Sequence, residues 1–103
     1  MDYPRTITRE EFDQACEAVW SEIEYQNSLP RRTADEARTV PGFITLARVY
    51  LDRTAVAWTD HAGVENKGHG QDVVVPEALH GLRKVAAILV RGMIYCGIRP
   101  RRA

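Results

Sequence analysis

Three stretches of the chain place apolar residues at helical intervals. In the first, Phe12, Cys16, Val19 and Ile23 recur with Ala15 beside them and Trp20 next to the stripe, the spacing of one helix face. Thr8 precedes it and Glu11 lies three residues on, the separation of a capping box. Glu10, Glu11 and Asp13 place negative charge at the positive end of that helix. Pro30 cannot continue a helix and disfavours helical geometry at Leu29, so the pattern predicts a helix over about 8–27. Residues 28–41 form a connection, in which Thr33 and Glu36 of "TADEAR" allow one short helical turn.

A second helix is predicted over about 42–59, opened by Pro41 and Gly42. Phe43, Leu46, Tyr50 and Ala57 lie along one side, and Ile44, Ala47, Leu51 and Trp58 along a neighbouring one. This apolar surface is wider than one partner helix covers. "DHAGVENKGHGQDVVV", residues 60–75, contains three glycines among mixed polar residues and reads as a mobile loop. Pro76 suits the first turn of a third helix, predicted over about 76–96 with Gly97 as its stop. A basic tail, 97–103, follows.

The third helix has the clearest pattern. Leu79, Leu82, Ala86, Leu89, Met93 and Cys96 alternate steps of three and four, which gathers them on one face. Nearly opposite stand His80, Arg83, Lys84 and Arg91, with Ala87 in their midst. Two readings stay open for this basic stripe. It is a solvated face, or it is an anion site with room left by a small residue, since arginine donors match phosphate geometry. No acidic residue lies between His80 and Ala103, whereas solvated helices usually mix their signs.

Composition narrows the function. The chain has 103 residues, enough for one domain, with 14 basic and 14 acidic side chains. That balance argues against broad nucleic-acid binding, which needs a cationic excess, and against an acidic DNA mimic. The N-terminus lacks the apolar core of a signal peptide, and the densest apolar run, "VAAILV", is far too short to span a membrane. The expected location is the cytoplasm of a bacterial host. Cys16 and Cys96 sit on apolar helix faces and read as buried thiols.

Few constellations suggest catalysis. The two serines, Ser21 and Ser28, lie in no nucleophile elbow. Asp60, His61, Glu65, His69 and Asp72 share one loop but match no metal-ligand spacing, and no glycine-rich phosphate loop occurs. No metal site and no cofactor are implied. What stands out is "EYQNSLPRRT", residues 24–33. Tyr25 offers a ring on which a base can stack, and Arg31 and Arg32 can hold phosphates. The alternative is that Tyr25 packs, Asn27 caps and the arginines are solvated. The end of the first helix and the start of the third can be neighbours in a bundle, joining this segment to the basic stripe.

The order "EIEYQN", "PGFITLARVYLDRTAVAW", "EALHGLRKVAAILVRGM" resembles small helical proteins of phages and prophages. Over roughly residues 10–97 its layout is distantly similar to the all-α MazG-like nucleotide pyrophosphohydrolases. That family holds Mg²⁺ with E-x-x-E and E-x-x-D pairs. This chain has Glu22 and Glu24 on its first helix and no E-x-x-D later, so no catalytic residue is carried over.

The sequence therefore predicts a single all-α domain, an antiparallel three-helix bundle that forms a homo-oligomer. The expected function is non-catalytic capture of a phosphate-bearing small molecule, a nucleotide signal, as a phage-type counter-defence sponge. Arg83, Lys84 and Arg91, with His80, would neutralise phosphate; Tyr25 or Trp58 would stack; Arg31 and Arg32 would close. The alternatives are an inhibitor that binds a host defence protein, and a divergent pyrophosphohydrolase.

Overall fold

The computed structural model describes residues 5–30, 39–65 and 76–102. They form three helices, α1 (Arg9–Ser28), α2 (Val40–Glu65) and α3 (Pro76–Cys96), and no strand occurs among the described residues. The fold is all-α, as the periodicities predict. No described helix is long and apolar enough to cross a membrane.

The helix ends follow local chemistry. The Thr8 hydroxyl accepts from the Glu11 amide, and the Glu11 carboxylate accepts from the Thr8 amide, so two orphan donors of α1 are satisfied reciprocally. Arg5 clamps the same carboxylate with two contacts of 2.7 and 2.9 Å. Leu29, ahead of Pro30, is already extended. Thr39 Oγ1 accepts from the Gly42 amide at 3.4 Å, and the Phe43 amide donates to the Thr39 carbonyl. α2 therefore starts two residues before the expected position, with Pro41 in its first turn. It also runs on through Glu65, where the sequence predicts a loop from residue 60. A single glycine, Gly63, costs a helix only about 1 kcal/mol, too little to stop one already established. Gly97 ends α3 at φ +132°. The expected turn at 33–38 and most of the expected loop, from 66 on, lie outside the described residues.

α2 and α3 form the main packed pair. Gly81 of α3 sits against Thr54, and Gly92 against Phe43. These pairings run in opposite senses, so the two helices are antiparallel. The core between them is Phe43, Ala47, Val85 and Ile88, with Leu46 and Tyr50 half-buried beside it. Tyr95 closes one end, its ring 5.8 Å from that of Phe43. A methyl group on Gly81 would come within 2.9 Å of Thr54 Cβ, so the glycine sets how closely the backbones approach. Thr54 is buried, and its hydroxyl donates to the Tyr50 carbonyl at 2.8 Å.

α1 packs on α3 in a different way. Glu22 meets Arg83, and Gln26 and Asn27 meet Arg91, so α1 runs parallel to α3. The only buried side chain of α1 is a carboxylate, Glu22. Val19 and Ile23 are half-buried, while Phe12, Cys16 and Trp20 are exposed.

The faces of α3 meet different neighbours than their pattern alone suggests. The basic stripe of α3 is neither a fully solvated face nor open to an anion along its length: Arg83 and Arg91 face α1, with fully buried Ala87 between them in sequence. The apolar stripe Leu79, Leu82, Leu89 and Met93 is exposed instead. Both thiols, Cys16 and Cys96, are likewise exposed rather than buried. Amphipathic patterning locates a stripe but not which neighbour covers it. α3 has two neighbours, and between them they take its small-residue and basic sides.

Candidate functional site

Between α2 and α3 lies an open depression of about 270 Å³, lined by Tyr50, Arg53, Thr54, Ala57, Glu77, Gly81 and Lys84. Helical periodicity builds it. Tyr50, Arg53, Thr54 and Ala57 recur at steps of three and one on α2, and Glu77, Gly81 and Lys84 follow on α3. On its floor Gly81 lets Thr54 pack directly against the α3 backbone.

Two cations from different helices converge on one ring in this depression. Lys84 Nζ lies 4.4 Å from the Tyr50 ring centroid, and Arg53 Cζ lies 5.0 Å from it. The ring's electron-rich face holds each cation without consuming its hydrogen-bond donors. Glu77 supplies the one carboxylate of the lining. Such a group can accept from a hydroxyl or amino group of a ligand whose anionic part sits between the cations.

The residues expected to bind a ligand are distributed as follows. Lys84 lines the depression. Arg83 is committed elsewhere, its Nε donating to Glu22 Oε1 at 3.2 Å, and His80 Nδ1 stands against Arg83 Nη2. Arg91 donates to Gln26 Oε1 at 2.8 Å and to Asn27 Oδ1 at 2.9 Å. These arginines fasten α1 to α3. Asn27 is thus a partner of Arg91, and the end of α1 lies beside the later part of α3, not its start. Tyr25 is exposed on α1, and Trp58 is half-buried on α2 outside the lining. Arg31 and Arg32 lie outside the described residues.

Sequence reasoning does not pick out Tyr50 and Arg53 as ligand residues. Their signal is an aromatic and a cation three apart on one helix face; the apolar pattern assigns Tyr50 to a packing surface and gives Arg53 no role. Among the described residues, no group of three or more His, Cys, Asp or Glu side chains is placed to hold a metal ion. No family model, curated protein or solved structure matches this chain.

Proposed function

We propose that this protein acts by binding, and that the depression between α2 and α3 captures a phosphate-bearing small molecule of the nucleotide class. The observation that carries this reading is the convergence of Arg53 and Lys84 on Tyr50 beside an open space of about 270 Å³, just below the usual size of ligand pockets. A phosphate group there meets charge-assisted donors from two helices, and the fork of an arginine suits its geometry. Glu77 on the same wall favours a ligand that also carries hydroxyl or amino groups, as a nucleotide does. Sequestration of a nucleotide signal, as in a phage-type sponge, is the role this reading assigns.

Thermal shift with linear and cyclic nucleotides, with and without Mg²⁺, tests it. A ligand at a hundred times its dissociation constant adds about 2.7 kcal/mol of stability. The shift should occur without Mg²⁺ and vanish in Arg53→Ala and Lys84→Ala. The absence of a shift with every nucleotide overturns the reading.

A further inference from the structure

The face of the hairpin away from α1 carries its own pattern. α1 and α2 contact α3 on sides roughly 120° apart, counting about 100° per residue. The third side presents Leu79, Leu82, Leu89 and Met93, each about half exposed, with Ala86 at the centre. On α2, Ile44 and Leu51 are also about half exposed. They lie about a quarter-turn from the line facing α3, on the same side as the Leu82 stripe. The six large residues form one apolar face, and the depression described above opens on the other side of the hairpin.

We propose that this face is the interface of a symmetric homodimer, in which the α3 helices of two copies cross at Ala86. Three observations single out a second copy of the chain. The seam reads almost the same in both directions from Ala86: Leu82 and Leu89 stand four residues before and three after it, Leu79 and Met93 seven before and after. A two-fold interface demands such self-complementarity, and a small residue at the crossing lets the backbones approach.

Charge is the second. The seam positions carry no ionised side chain. The flanking cation on α3, Arg83, is paired with Glu22 within its own chain, and Arg48, a turn from both Ile44 and Leu51 on α2, stands at the rim of the face.

Area is the third. Six half-exposed side chains of this size offer roughly 600 Å² of apolar surface, the upper end for the largest patch of a lone protein. With its rim the face approaches the roughly 800 Å² per partner of a stable interface.

Sedimentation equilibrium of the full chain at micromolar concentration tests the proposal. The expected mass is twice 11.7 kDa. Leu82→Arg and Leu89→Arg should each return it to that of one chain with unchanged helical circular dichroism, while Val56→Arg, exposed on a different side of α2, should leave the dimer intact. If the arginine variants unfold, Ala86→Cys in a Cys16→Ser, Cys96→Ser background decides. Mild oxidation should link two copies through residue 86. A monomer in solution, a dimer indifferent to both leucine substitutions, or failure of the Ala86→Cys chains to cross-link overturns the interface.

Discussion

Arg83 Nε stands 3.2 Å from Glu22 Oε1, and the carboxylate side chain is only 4% exposed. The pair joins residues 61 positions apart and is an ionic link between α1 and α3. It explains why a helix whose apolar residues are mostly exposed docks at all. Removing one partner strands the other charge in a poorly solvated place. Arg83→Met should therefore cost about 3 kcal/mol in urea unfolding, and the double variant Glu22→Leu, Arg83→Met should recover most of it. A single-variant cost under about 0.5 kcal/mol, the level of an exposed pair, would show that Glu22 is solvated in solution.

Arg91 should act on the same joint but more weakly, because its partners Gln26 and Asn27 are neutral amides. Arg91→Ala is expected to cost about 1–2 kcal/mol and to speed amide hydrogen exchange in the last turn of α1. Arg91→Lys should not restore protection, since a lysine cannot span both amides with a planar fork. Equal protection in all three proteins would mean that the end of α1 is held by other contacts.

Gly81 tests the close approach of α2 and α3. In an exposed helix, replacing glycine by alanine stabilises by about 1 kcal/mol. At Gly81 the added methyl would fall 2.7 Å from Thr54 Cγ2 and 2.9 Å from its Cβ. Gly81→Ala should instead destabilise by about 1–3 kcal/mol, and Thr54→Ala in the same chain should relieve only part of it, because its Cβ remains. A raised melting temperature in Gly81→Ala alone would contradict the packing.

Acid should loosen the start of α1. The Arg5 guanidinium, then the Thr8 amide and hydroxyl, hold the Glu11 carboxyl down at about 2, from an ordinary 4.5. A carboxyl with a depressed folded-state value contributes stability that is complete above its unfolded value and is lost as pH falls through the folded one. The contribution should thus be whole above about pH 4.5 and fade toward pH 2. The melting temperatures of the parent and Arg5→Ala should differ near neutrality and converge across that window. A gap that persists unchanged at the acid end would assign Arg5 another role.

The sequence by itself determined the helices. Thr8 with Glu11, Pro30 after the first stripe, Pro76 and Gly97 are local signals, acting within one turn of the backbone, and each marks the boundary where it was expected. The second helix exceeded its expected bounds because the stop signals there were weak: Pro41 is tolerated in a first turn, and Gly63 alone does not break a helix. The apolar stripe of α3 was also visible as a stripe.

Only the tertiary structure decided what each face meets. Burial is a relation between elements, and the close fit of Gly81 on Thr54 and Gly92 on Phe43 turned α3 by its small residues toward α2. That rotation left Leu82 and Leu89 outside and brought Arg83 and Arg91 against α1, where they meet Glu22, Gln26 and Asn27. It also set Lys84 beside Tyr50 and Arg53, a juxtaposition across two helices that no spacing within a single helix encodes.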